Sequence, residues 1–174
     1  MGRLKIAGGA GGRPPTRADE EAWMLVAIKE ARRNLRRADG GPFGACIVRG
    51  GTIVALSRNT VLARRDPTCH AEVNAIRLAA RRLGTHDLSG CRIFSTTEPC
   101  PMCFAAIHWA GIDEVVFGTR IADVARLGFR ELSISNRTLR RLGGGAVRVV
   151  GGVLREECRQ LLRDWEERQA GLTY

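Results

Sequence analysis

The chain has 174 residues, 44% hydrophobic and 26% charged, with a net charge of +10. That is one domain's worth of chain with enough apolar residue to bury a core, which excludes a disordered polymer. No apolar run reaches the roughly 18 residues of a membrane span, and no apolar stretch follows the first basic residues as in a secretory signal, so no membrane partner is expected and the expected location is cytoplasmic.

Residues 1–17 are rich in Gly and Pro and lack an apolar period. They read as a flexible leader, with a single domain over 18–174. Asp19 is placed to cap a helix running to about residue 37, with Trp23, Val26, Ala27 and Leu35 among its apolar positions. Asp39-Gly40-Gly41-Pro42 breaks it. Residues 43–48 and 52–56 read as a hairpin about Gly50-Gly51. A helix is predicted over 69–83, a strand over 91–96, and a helix from Pro101 to about 111. A strand over 113–118 and a short helix over 121–127 follow. Residues 129–144 read as irregular and polar. A strand over 147–150 and a helix over 153–168 close the chain. Helices alternate with strands after the hairpin, so the expected fold is α/β: three layers, α/β/α, around a five-stranded mixed sheet.

Two segments carry chemistry: Asp66-Pro67-Thr68-Cys69-His70-Ala71-Glu72 and Thr97-Glu98-Pro99-Cys100-Pro101-Met102-Cys103. Cys100 and Cys103 are three apart at a helix start, so their sulfurs share one face. A helix N-terminus favours the thiolate that a metal needs. Pro101 sits where its missing N–H does no harm. His70 supplies a nitrogen ligand. Three protein ligands fit catalytic Zn2+, which keeps one position for water, whereas structural zinc takes four. Glu72, two residues after the histidine, is placed to exchange protons with that water. This H-x-E and P-C-x-x-C pair is the zinc deaminase pattern. The competing reading is a closed structural site with Cys69 or Cys91 as fourth ligand; the His-x-Glu and the flanking prolines stand against it. Cys46, Cys91 and Cys158 read as small buried hydrophobes. His86 and His108 are not expected to bind metal.

The basic charge is almost all arginine, with Lys5 and Lys29 the only lysines. Arginine pairs are scattered, and no basic block reaches the length of a binding arm. Most read as solvated faces, and a nucleic-acid partner is the lesser reading.

These motifs resemble the cytidine-deaminase-like superfamily over about residues 22–174. Within it the chain looks most like the bacterial guanine deaminases and next most like the tRNA adenosine deaminases. Gly41-Pro42-Phe43-Gly44-Ala45, Cys103-Phe104-Ala105-Ala106-Ile107-His108-Trp109-Ala110 and the stretch from Ala122 to Phe129 follow the guanine deaminase form. Two segments depart from it. Arg130-Glu131 stands where an acidic pair is usual, and the closing segment 151–158 resembles the tRNA enzymes.

The resemblance implies the following roles. His70, Cys100 and Cys103 bind zinc, and Glu72 moves the proton. Asn59 hydrogen-bonds the base, and Ala71 lies beside it. Asp123 and Glu131 meet the amidine edge, with Glu131 counted among the catalytic groups. Phe43 and Trp109 line the pocket, and Tyr174 caps it. Carboxylates suit the N–H-rich edge of guanine, and aromatic rings suit its flat face. The implied activity is deamination of a small purine base, guanine to xanthine, by a homodimer. The alternatives are a tRNA adenosine-to-inosine editor, a deaminase of another small ring (cytosine, a triazine or a guanosine-type nucleoside), and a non-catalytic zinc-stabilised module.

Overall fold

The computed structural model describes residues 14–169. Most of the expected leader falls outside them, and the first described helix is capped at Thr16. Its hydroxyl accepts the Asp19 N–H, and the Asp19 carboxylate accepts the Thr16 N–H at 2.8 Å. This reciprocal capping box makes Thr16, not Asp19, the cap of α1 (Arg17–Ala31). The single helix expected to residue 37 breaks at Arg32-Arg33 and resumes as α2 (Asn34–Arg37), which left-handed Ala38 ends.

The hairpin forms as β1 (Gly44–Arg49) and β2 (Thr52–Arg58). A single turn, α3 (Val61–Arg64), precedes α4 (Ala71–Leu83). Then come β3 (Cys91–Thr97), α5 (Pro101–Trp109), β4 (Glu114–Thr119) and α6 (Ile121–Ala125). The stretch expected to be irregular contains α7 (Asn136–Gly143), capped by the Ser135 hydroxyl on the Thr138 N–H. β5 (Arg148–Gly151) and α8 (Arg155–Gln169) complete the described chain.

The five strands lie in the order β2-β1-β3-β4-β5. β1 is antiparallel to both neighbours, and β3, β4 and β5 run parallel. Alternate strand residues enter opposite cores, as a period of two requires. Ala45, Ile47, Ile93, Val115 and Val149 pack with Ala71, Ala75 and Ile107 of α4 and α5. Cys46, Val48, Phe94 and Val116 pack with Met24, Ala27, Ile28 and Cys158 of α1 and α8. The three-layer mixed-sheet expectation is thereby met. No described helix is long and apolar enough to cross a membrane.

Candidate active site

His70 and Cys100 are the N-caps of α4 and α5, and Cys103 lies in the first turn of α5 with Pro101 ahead of it. The two helices pack together, so their N-termini bring one nitrogen and two sulfurs within 4.8 Å of one another. Cys100 Sγ is 3.7 Å from His70 Nδ1. The Cys103 thiol and His70 pull the Cys100 thiol down to about 4, against the effect of burial. The same bond to Cys100, with burial, pushes Cys103 well up. Burial pulls the imidazole down, but its bond to Cys100 and the Glu72 charge outweigh that and raise it. One thiolate is thus ready-made, and a cation in the cluster would draw off the proton that the second sulfur keeps.

This donor set fits zinc. Among the described residues it is the one group of three or more His, Cys, Asp or Glu side chains that could hold a metal. Cys69 turns instead to Asp66 at 3.4 Å and Arg77 at 3.6 Å, and Cys91 is buried in β3. Neither closes the site as a fourth ligand. Cys46 and Cys158 are buried, and burial pushes both thiols up to about 12, so they serve as packing.

Glu72 is buried in the first turn of α4. One oxygen accepts the Ser95 hydroxyl at 2.8 Å and the other faces the Cys103 thiol at 3.5 Å. Burial raises its carboxyl, which suits a group that must take up and release protons. Ser95 is a partner the motif could not name, one of three consecutive hydroxyl residues at the end of β3.

Asn59 is fully buried. Its Oδ1 accepts the Val61 N–H at 3.1 Å, while its Nδ2 has no partner. A buried unpaired amide costs about 1–3 kcal/mol, and Asn59 is not among the residues that line the cavity at the cluster. The next residue, Thr60, donates to the carbonyl of Cys69 at 3.0 Å, beside His70. Asn34 holds this chain in place. Its Nδ2 donates to the Gly41 and Asn59 carbonyls, each at 2.8 Å, and its Oδ1 accepts from Arg58, which pairs with Glu30 and Asp39. Gly40 must be glycine, because a Cβ there would stand 2.1 Å from Asn59 Oδ1.

A cavity of about 480 Å³ opens at the cluster, lined by His70, Cys100, Pro101, Met102 and Pro67 on one side and by residues 129–132 on the other. Its size suits a small ring molecule. Glu131 faces it with one oxygen buried and unpartnered. Burial, then the Cys100 and Glu72 charges, push its carboxyl up to about 7. Phe129, Arg130 and Leu132 join the wall although the sequence reading gave them no role.

Other expected contacts fall elsewhere. Phe43 is buried behind the wall, edge-on to Phe129 with ring centroids 5.1 Å apart. The methyl group of Ala71 packs in the core, so only its main chain can face a ligand. Trp109 is 82% exposed. Six residues after Cys103 it lies about 240° further round α5, away from the metal face. Tyr174 lies outside the described residues. Asp123 lines a different cavity, between α6 and α8. It accepts the Arg120 N–H at 2.9 Å and pairs with Arg155 and Arg159, each at 3.3 Å. The structure therefore corrects the expectations for Trp109 and Asp123 within one chain.

Asp123 also carries a pH dependence. Burial opposes its ionisation, but the Arg120 amide and the two arginines hold its carboxyl below the ordinary 3.8. A depressed carboxyl stabilises the fold above the unfolded value and ceases to do so as pH falls through the folded one. Asp123→Asn is expected to cost about 1–2 kcal/mol in denaturant unfolding at neutral pH. The difference from wild type should shrink on acidification below the folded value, with zinc content unchanged. A loss of the same size in acid would refute the linkage.

Comparison with known proteins agrees with this geometry. Residues 17–119 match the cytidine and deoxycytidylate deaminase zinc-binding region. The guanine deaminase of Bacillus subtilis (strain 168) is 41% identical over 111 residues, covering 64% of this chain and 71% of that protein. The tRNA-specific adenosine deaminase of Aquifex aeolicus (strain VF5) is 42% identical over 98 residues, covering 56% and 64%. The solved structure of the guanine deaminase from Nitrosomonas europaea is 32% identical with a TM-score of 0.77, covering 90% of this chain and 94% of that one. This chain belongs to the cytidine and deoxycytidylate deaminase family of zinc-binding enzymes.

Proposed function

We propose that the protein is a zinc-dependent hydrolase that converts guanine and water to xanthine and ammonia. The observation that carries this reading is a three-ligand cluster, with the buried Glu72 carboxylate against it, opening on a pocket that the Glu131 carboxylate faces. The guanine deaminases reported above supply the base.

Zinc held by His70, Cys100 and Cys103 supplies the Lewis acidity that brings a water's pKa towards ~7. Glu72 takes a proton as water adds to C2 of the ring. It returns that proton to the 2-amino nitrogen as the carbon–nitrogen bond breaks. Asn59 donates its free Nδ2 hydrogens to an acceptor on the base. The free oxygen of Glu131 accepts from the N–H edge that adenine lacks. Pro67, Phe129 and Leu132 give the pocket an apolar wall for the ring.

Ammonia release from guanine, adenine, cytosine and guanosine tests the substrate. Guanine is expected to exceed adenine by about 10²-fold or more, since a buried carboxylate left unpaired penalises the wrong base. Preference for another ring would refute guanine. The second reading, editing of adenosine in tRNA, draws on the +10 charge and the Aquifex relative.

The active form in this reading is a homodimer. Met102, Ala105, Ala106 and Trp109 lie at the spacing of one helix face on α5, and all four are apolar and partly or fully exposed. Met102 also borders the pocket. An apolar face of this kind calls for a partner, and a second copy brings two pockets near their shared boundary. Trp109→Arg should shift the sedimentation of the purified protein from dimer to monomer. A dimer that survives this change at micromolar concentration would place the interface elsewhere. The six free cysteines suit a reducing cytoplasm, which is the proposed location.

A further inference from the structure

Glu98 and Asn136 take no part in the reaction above, yet both are buried polar side chains. Glu98 stands two residues before Cys100. Asn136 opens α7, five residues after Glu131. One Glu98 oxygen accepts the Asn136 backbone N–H at 2.9 Å, and the other faces the Ile121 N–H at the start of α6, at 3.5 Å. Asn136 in turn donates from its Nδ2 to the Pro99 carbonyl at 2.6 Å. Two bonds therefore stitch residues 98–99, which lead into the zinc cysteines, to residue 136.

The segment that carries Glu131 has no helix or strand of its own; it crosses from α6 to α7 along the pocket. Phe129 against Phe43 fixes its upstream part. The Glu98–Asn136 clasp fixes its downstream end. Among the described residues Glu98 forms no ion pair, so its charge rests on those N–H groups. A buried carboxylate is a costly way to fill space, and its two contacts are with the N-termini of α6 and α7, the helices on either side of this segment.

We propose that Glu98 and Asn136 are positioning residues that hold the Glu131 carboxylate at the pocket wall, in register with the zinc cysteines. The proposal rests on the role given to Glu131 in guanine deamination.

The test compares wild type, Glu98→Gln and Asn136→Ala, each with Glu131 intact and with Glu131→Gln. Zinc content, kcat and KM for guanine, and amide hydrogen exchange over residues 129–135 are read in each. Zinc content should stay at the wild-type value, and exchange over 129–135 should quicken. Guanine kcat/KM should fall by about 10- to 10²-fold, as a misplaced active-site group implies. In the Glu131→Gln background the same changes should cost less than about threefold, because they act through one residue. An equal penalty in both backgrounds would overturn the proposal by showing a general structural role. So would unchanged exchange, or kcat/KM close to wild type in the single variants. If Glu98→Gln does not fold, Asn136→Ala carries the same comparison, since it removes only the bond to Pro99. A wild type that ignores guanine would refute the substrate reading instead, and the exchange measurement alone would then decide the clasp.

Discussion

Glu72→Gln is expected to lower kcat for guanine by about 10³-fold or more while zinc stays bound. Glutamine has the shape of glutamate and can still accept the Ser95 hydroxyl, so the fold and the three ligands are undisturbed. What it lacks is a site for the proton. A general acid–base contributes roughly 10²–10⁴-fold, and Glu72 serves both the attack of water and the departure of ammonia. The isosteric change therefore separates proton transfer from packing. Metal analysis and a pre-steady-state assay on the same sample check it. Turnover within about tenfold of wild type would place the proton shuttle on another group.

Cys103→Ala is expected to lose zinc and all measurable deamination. Cys103 is fully buried, and its sulfur completes the cluster while facing Glu72. Its removal leaves two ligands where a catalytic zinc site needs three. It also leaves Glu72 without that neighbour, in a site where burial already opposes its charge. Circular dichroism should still report native helix content, because Pro101 and the Phe104 and Ile107 side chains keep α5 seated in the core. Zinc retained at the wild-type level would show that the ligand set includes a different residue.

The fold and the zinc cluster were legible for one reason: short-range patterns dictated them. Short apolar runs in β1, β3 and β4 and the breaks at Gly50-Gly51 and Pro101 placed the sheet and the helix holding the cysteines. The H-x-E and P-C-x-x-C spacings placed the metal ligands, and the structure brings them together. What stayed hidden depends on contacts distant in sequence. The break after Ala31 frees Asn34 to bind the Gly41 and Asn59 carbonyls, which no helical period reveals. α7 spans only two turns, and its apolar stripe is just Leu139 and Leu142 among three arginines, too short to stand out from the polar stretch around it. Its start is fixed by Glu98 from across the fold. Asp123 shows the opposite error. An acidic residue at a family position was expected in the pocket, yet Arg155 and Arg159 of α8 claim it from the other side.

Side-by-side measurement of xanthine formed from free guanine and inosine formed in a tRNA anticodon hairpin, by one zinc-loaded preparation, is the most direct test of the proposed activity. The expected result is saturable guanine turnover that disappears on zinc chelation and returns with added zinc, and no inosine above the level given by Glu72→Gln. Inosine formation without xanthine would contradict it: the pocket at His70, Cys100 and Glu131 would then belong to an RNA editor, and the +10 charge would mark the surface that holds the RNA.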